Sequence, residues 1–375
     1  MKATVIGALA LVLALGAGAT AFSQQAGTPQ AQRPGVVIGA RGNAGWDNPN
    51  GMLTLPNMPL HDPFMVADKA TKTYYLFTSN QGRLSGTQGL GTMAYTSKDL
   101  KNWTRPKAVF ILPQGTWANG GAWAPEVHQW KGKWYLFTTF HNEAWPIGGQ
   151  QKPNRTPYRR GAVIAVSDTL DGPFTLINSG EPPAGKDRMT LDGTLYVDRK
   201  GKPWFVYAGE WLQETDGAIE AMPLTDELAP AGPARVLFRA SAGPWVAGQP
   251  QNPNDVVRVT DGPQFRRTKN GDLTMLWSSY DRLAYAQSIA RSKSGELDGP
   301  WEQRQVPLLR GDSGHGMMFE TFDGVTMLVV HRPFDNARGK LYEVRDTGKT
   351  FEILRQRTDL DGDPPEVDAL VRPDK

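Results

Sequence analysis

Four carboxylates and one histidine recur at one kind of place in this sequence. Asp62 stands in "LHDPFMV", Glu126 in "WAPEVHQW", Asp192 in "TLDGTLYV", Asp261 in "VTDGPQF" and His315 in "GHGMMF". Each precedes a short apolar run of strand type. Any one of them alone reads as turn chemistry, because Asp before Gly or Pro is a common turn residue. Carboxyl groups gathered at one place, however, raise one another's pKa, a cost that favours a chemical task. Glycoside hydrolysis is a reaction that needs them. Two carboxyls flank the bond, standing roughly 6.5 to 9.5 Å apart in the inverting form to admit a water. One stays ionised as the base, and the other is kept protonated to serve the leaving oxygen.

Residues this far apart in sequence meet only if the chain repeats. A unit of strand, turn with Gly or Lys, and aromatic-rich strand recurs in "DPFMVADKATKTYYLFTSN", "PEVHQWKGKWYLFTTFHN", "DGTLYVDRKGKPWFVYAGEW", "DGPQFRRTKNGDLTMLWSSY" and "HGMMFETFDGVTMLVVHRP". Further strand and turn signals follow each hairpin, as in "MAYTSKDLKNWT" and "QSIARSKSGELDGPWE". The copies lie about 50 to 70 residues apart, near the length of a propeller blade with its loops. The sequence therefore predicts an all-β chain folded as a five-bladed β-propeller, with a β-sandwich of similar hairpins as the alternative. First strands line a propeller's channel, so the five residues above should converge at one end of it. Antiparallel second strands end beside them. Asn80, His141, Asn142, Glu210, Tyr280, His331 and Arg332 are thus expected at the same rim.

Composition narrows the classes further. The formal net charge is +3, and Lys and Arg are scattered along the chain, which argues against nucleic acid and membrane surfaces as partners. With Cys 0, disulfides, thiolate metal sites and a cysteine nucleophile are excluded. Trp 12, Phe 14 and Tyr 10 suit a large β core and also carbohydrate binding. Met1-Lys2, an apolar run from Val5 and the Ala19-Thr20-Ala21 site read as a signal peptide over residues 1–21, with a retained anchor as the alternative. A lead-in rich in Gln, Gly and Pro follows over 22–43. No later segment could span a membrane. Periplasmic or extracellular location and a monomeric state are expected.

The ordered set "HDPF", "WAPEV", "LDGTLYVD", "DGP" and "GHG" resembles glycoside hydrolase family 43, a family of five-bladed propellers. Its members include inverting arabinofuranosidases, xylosidases, arabinanases and galactan-cleaving enzymes. The resemblance covers residues 44–355 as one catalytic domain, leaving 356–375 as a short tail and no separate C-terminal sandwich domain. It implies that Asp62 is the general base and that Asp192 orients and tunes the acid. The family's acid is a Glu in "EGP", where this chain has Asp261 in "TDGP", one methylene or about 1.5 Å shorter. Either Asp261 keeps that role, or Glu210 in "VYAGEW" supplies the proton, with Glu126 as another candidate. Glu126, Trp123, His141, His331 and Arg332 are candidate substrate-binding residues. The resemblance makes His315 a candidate contact for a calcium or sodium ion in the channel, while no cofactor is required for the reaction. The expected function is hydrolysis of α-L-arabinofuranosyl linkages, or of β-D-xylosyl or galactosyl ones, in plant-type polysaccharides. A catalytically inactive carbohydrate-binding propeller is the alternative, and a protein-binding propeller is a weaker one. The segment "AWPIGGQQKPNRTPYRR" from Ala144 to Arg160 is expected to be a loop shaping the pocket.

Overall fold

The computed structural model describes residues 51–148, 155–252 and 254–362. The predicted signal peptide, the lead-in and the chain beyond 362 lie outside the described residues. Within them, five antiparallel sheets of four strands follow one another along the chain. Their first strands are Phe64–Asp68, Gly120–Trp130, Thr190–Val197, Asp261–Arg267 and Gly314–Glu320. Each touches the first strands of both neighbouring blades, so the five ring a common axis. The architecture is the predicted five-bladed propeller, and no further domain is present among the described residues.

The second strands explain why the blades stack. Thr73–Ser79, Lys133–Pro146, Pro203–Gly209, Leu273–Tyr280 and Thr326–Arg332 read TYYLFTS, KWYLFTTFHNEAWP, PWFVYAG, LTMLWSSY and TMLVVHR. β-Branched and aromatic residues fill both faces, as required of a strand covered on both sides. Between blades 2 and 3 the packing is Phe137 and Ile164 on Phe205 and Tyr207. Between blades 3 and 4 it is Val206 and Phe238 on Trp277, and between blades 4 and 5 Leu276 and Ile289 on Leu328 and Tyr342.

Among the described residues all strands of a blade are consecutive, and no strand is shared between the first and last blades. Side chains lock the ring instead. Tyr74 of blade 1 stacks on Phe322 of blade 5 at 4.2 Å, and its hydroxyl accepts the Phe322 N–H at 3.0 Å. The segment before blade 1 straddles the seam. Leu53 bridges to Trp103 in blade 1, and Pro59 bridges to Arg338 in blade 5. The Leu60 N–H donates to the Ala337 carbonyl at 3.0 Å, and Arg338 Nε donates to the Pro56 carbonyl at 3.0 Å.

Two expectations change in detail. The Ala144–Arg160 segment is largely strand at its ends: Lys133–Pro146 pairs with Tyr158–Ser167 out to Pro146 and Tyr158. Residues 149–154 lie outside the described residues. The start of the predicted tail is folded in, since the buried Asp361 carboxylate accepts the Leu341 N–H at 3.2 Å and Gln356 Nε2 at 2.9 Å.

Arg338→Ala would strip the Pro56 carbonyl and two neighbouring carbonyls of their charged donor. Hydrogen bonds of this kind are worth roughly 1.5–3 kcal/mol each before relaxation. We expect a loss of about 2–4 kcal/mol, read as a lower urea midpoint with an unchanged slope. An unshifted midpoint would mean the seam does not depend on this residue.

Candidate active site

Four of the five first strands begin with the same backbone event. Two residues oppose one on the second strand: Ala124 and Pro125 in blade 2, Asp192 and Gly193 in blade 3, Gly262 and Pro263 in blade 4, His315 and Gly316 in blade 5. These are β-bulges, which bend the strand and re-aim side chains. The first bulge residue is left-handed, with φ of 46° at Ala124, 53° at Asp192, 53° at Gly262 and 48° at His315. Asp62, before Pro63 in blade 1, has φ 46° as well. For a non-glycine residue this conformation costs roughly 1–2 kcal/mol.

The bulges correct the predicted alignment. Asp62, Asp192 and His315 are equivalent, but the blade-4 equivalent is Gly262 and the blade-2 equivalent is Ala124. Asp261 lies one position earlier, matching Trp123 and Gly314. Glu126 lies two positions later, matching Thr194, Gln264 and Met317, and therefore deeper in the channel. A Cβ on Gly262 would come within 3.1 Å of the His315 ring, so the close approach requires glycine there.

Asp62 is 3% exposed and faces three histidines. Its Oδ1 lies 2.9 Å from His61 Nδ1, 3.3 Å from His315 Nδ1 and 3.4 Å from His331 Nδ1. His331 Nδ1 accepts the Asp62 backbone N–H at 3.2 Å, so that ring carries its proton on Nε2. Burial works against ionisation of Asp62, but the facing His315, His61 and His331 more than reverse it and hold the carboxyl well below the ordinary range. His331 is pushed down to about 3, by burial first and by His61 next. His315 is lowered by burial. Burial also opposes the charge on His61, but Asp62 outweighs it and raises that ring. The assembly is an anion at Asp62 with its countercharge on His61.

The other acids are in the opposite state. Asp192 is 1% exposed; its N–H donates to Thr139 Oγ1 at 3.0 Å, and its Oδ2 accepts the Gly262 N–H at 2.9 Å. Its Oδ2 and the Asp62 Oδ1 lie within 4 Å of the same His315 nitrogen. Burial, then Asp261 and Asp62, raise Asp192 well above the ordinary range. Asp261 is half-buried, and the Tyr285 hydroxyl donates to its Oδ2 at 2.9 Å. Burial pushes Asp261 up to about 8 despite that bond, with Glu210 and Asp62 adding to the shift.

Glu210 follows the second strand of blade 3 and is 1% exposed, so it is not a surface residue entering a loop. Its Oε2 accepts from Arg160 Nη1. Arg160, buried with it, packs 4.9 Å over the Trp123 ring and donates to the Tyr158 hydroxyl. The Trp123 ring also lies 4.7 Å from His141. Burial, then Arg160, push His141 down to about 4, so it is neutral near pH 7. Glu126 is buried, with Oε2 2.8 Å from His128 Nε2. Arg332 is buried beside His331 at the end of the second strand of blade 5, and its charge opposes the rise that burial causes in the Tyr342 hydroxyl pKa. Asn80 is occupied elsewhere, donating to the Thr87 and Gly89 carbonyls.

Several buried polar atoms here have no hydrogen-bond partner in the protein. They are Asp192 Oδ1, Glu210 Oε1, Glu126 Oε1, His315 Nε2 and His141 Nδ1. Buried polar atoms are normally satisfied, and a cluster of exceptions marks where a polar ligand belongs. Sugar hydroxyls would supply the missing partners. A cation is a poorer match. The one three-residue donor group among the described residues, His61, Asp62 and His331, is rich in nitrogen, whereas calcium and sodium call for oxygen. His315 would offer such an ion only its Nε2.

Residues 56–362 match glycosyl hydrolases family 43. The chain belongs to this family. An endo-arabinase structure from Bacteroides thetaiotaomicron VPI-5482 is similar, at 34% identity over 80% of this chain and 99% of that one, with a TM-score of 0.70. A thermostable family-43 glycoside hydrolase shares the fold at 18% identity, covering 87% of this chain and 99% of that one, with a TM-score of 0.62. An extracellular exo-α-(1→5)-L-arabinofuranosidase of Cellvibrio japonicus (strain Ueda107) is 28% identical over 192 residues, 46% of each chain. The chain thus spans about half the length of that curated relative. As a family 43 member it is a glycoside hydrolase. Among its described residues no helix is long and apolar enough to cross a membrane.

Sequence reasoning missed His61, Arg160, Tyr158 and Tyr285. His61 had a signal, being adjacent to Asp62 in "LHDPF". The other three stand on third strands, which had not been examined for chemistry.

The raised Asp261 has a consequence for stability. Its folded pKa of about 8 exceeds the unfolded value of roughly 3.9. Its contribution is full below the unfolded value and is lost as pH rises through about 8. Asp261→Asn should therefore gain in melting temperature relative to the wild type between pH 5 and pH 9. Melts at both pH values check this, and a constant difference would contradict the raised value.

Proposed function

We propose that this family 43 chain is an exported, inverting enzyme that hydrolyses α-L-arabinofuranosyl linkages in arabinan-type plant polysaccharide. The observation that carries the reading is the split in charge state: Asp62 held ionised, with a protonated carboxyl at Asp261 nearby. That is the pairing of base and acid that glycoside hydrolysis requires. Arabinan as substrate is supported by the endo-arabinase and arabinofuranosidase among the similar proteins. Export is supported by the signal-peptide reading of residues 1–21 and by the extracellular relative.

In this mechanism Asp62 takes a proton from the attacking water as that water adds to the anomeric carbon. His61 and His315 hold the carboxylate oriented and charged. The bond to the leaving oxygen breaks as a carboxyl delivers its proton there. Asp261 is the donor favoured by charge, because it is protonated up to about pH 8 and its hydrogen bond comes from a neutral tyrosine hydroxyl. Glu210 is the second reading. Its Oε1 is buried without a hydrogen-bond partner in the protein and so can face a substrate oxygen, while Arg160 holds Oε2. Asp192 lies near both, and its own proton limits the negative charge at the rim. A binding protein without catalysis has no use for a carboxylate held charged by two histidines.

Hydrolysis of arabinan and of aryl α-L-arabinofuranosides by the wild type, Asp62→Asn, Asp261→Asn and Glu210→Gln tests this. Asp62→Asn should lose both activities. The acid variant should lose about 10²–10⁴-fold on arabinan and far less on aryl substrates, whose leaving group needs little protonation. If Asp261 is the donor, wild-type kcat/KM on arabinan falls as pH rises through about 8. A selective loss in Glu210→Gln with an intact Asp261→Asn would assign the proton to Glu210. Cleavage of xylan or galactan in place of arabinan would overturn the sugar assignment.

A further inference from the structure

Trp145 stands apart among the exposed large hydrophobic side chains. The others are Met52, Val197, Val236, Val256, Leu283 and Leu354, whereas Trp145 is aromatic and 46% exposed. It lies near the end of the long second strand of blade 2, on the same end of the propeller as His141. The Arg159 guanidinium lies over the Trp145 ring at 4.8 Å and over the Trp117 ring at 4.2 Å. Arg159 is 4% exposed and paired with Glu181 at 2.5 Å, so its charge is balanced. Trp117 is anchored in turn, with Nε1 donating to the Gly180 carbonyl at 2.8 Å. The Trp–Arg–Trp stack thus fixes Trp145 in orientation before any ligand arrives.

We propose that Trp145 is an outer subsite that binds a neutral sugar unit of the substrate chain by stacking, remote from the bond being cleaved. This rests on the polysaccharide reading above. Continuity with the active site supports it. Pro146, next to Trp145, pairs with Tyr158; the Tyr158 ring lies 5.9 Å from His141, and His141 lies 4.7 Å from Trp123. Rings therefore run from Trp123 through His141 to Tyr158, which pairs beside Trp145 at the far end of the blade 2 hairpin. A protein partner fits less well. Trp145 is flanked by exposed Glu143 and Ala144 and by the polar Asn142, and a single ring lacks the contiguous apolar patch that protein interfaces use. The apolar face of one sugar matches the area of one indole, and a rigid aromatic costs little entropy on binding.

The test compares wild type, Trp145→Ala and Trp145→Phe on the polysaccharide that the wild type cleaves and on an aryl glycoside too short to reach blade 2. For Trp145→Ala, kcat/KM on the polymer relative to the aryl glycoside should fall about three- to tenfold, mostly through KM, with Phe restoring part. An unchanged ratio would overturn the subsite. Were the wild type to cleave no glycoside, the proposed function would fail on its own. Retardation in gels containing arabinan, xylan or galactan would then decide the subsite. Wild-type retardation lost in Trp145→Ala supports it, and its absence in the wild type refutes it.

Discussion

The site depends on one backbone constraint, a left-handed residue at the start of every inner strand, set in a β-bulge in blades 2 to 5. A regular strand alternates its side chains between two faces and would send only every second residue toward a given side. The bulge breaks that alternation at the mouth of the channel. Asp62, Asp192 and His315 are brought together this way from three blades. Asp and small or polar residues tolerate φ near +50° better than bulky ones, so the strain and the chemistry fall on the same residues. In blade 2 the position is Ala124, which contributes no chemistry, and in blade 4 it is Gly262, which makes room for the His315 ring.

Once the carboxyls are gathered, electrostatics divides their roles. They cannot all ionise in a buried space, because each charge raises the cost of the next. Histidine contacts decide which one does. Asp62 has His61 and His315 on its Oδ1, whereas Asp192 has a backbone N–H and Asp261 a tyrosine hydroxyl. The anion goes to the first, and the protons stay on the other two. Glu210 is set apart by its own arginine. The fold thus separates a base from protonated neighbours by the partners it gives each carboxyl.

Much of the architecture was legible because its signals are local. Each blade announces itself as a hairpin, and the turn between its strands carries a left-handed Gly132, Gly201, Gly271 or Gly324, with Lys72 in the first blade. The presence of Asp62, Asp192 and His315 at equivalent positions could also be read. What failed was register. Asp261 and Glu126 were aligned on their charge, when the reliable marker is the second bulge residue, which is Pro63, Pro125, Gly193, Pro263 and Gly316 in turn. His331 and Arg332 are neighbours in a strand and face opposite ways, and His331 takes the side of Asp62. Arg160, Tyr158 and Tyr285 could not be found by pairing hairpins. They come from third strands and reach the site only through tertiary packing.

Blade 2 differs from the rest in a way that bears on substrate choice. Its first three strands run 11, 14 and 10 residues, against five to eight for the first two strands of the other blades. The surplus stands above the rim as a wall carrying Trp145, Tyr158 and Arg159. Beyond it Arg155 crosses to blade 3, donating to the Trp211 carbonyl at 2.6 Å. It also pairs with Asp255 through Nε at 2.6 Å and Nη2 at 2.7 Å. Asp255 belongs to the small ribbon Gln249–Asn252 and Asp255–Val257 that precedes blade 4. One buried ion pair thereby ties three parts of the rim together next to Glu210. On the opposite side, between blades 1 and 5, a cavity of about 370 Å³ opens beside His61. The rim is thus braced on one side and open on the other. Every blade contributes to the catalytic floor, whereas the wall is built by the long strands of blade 2.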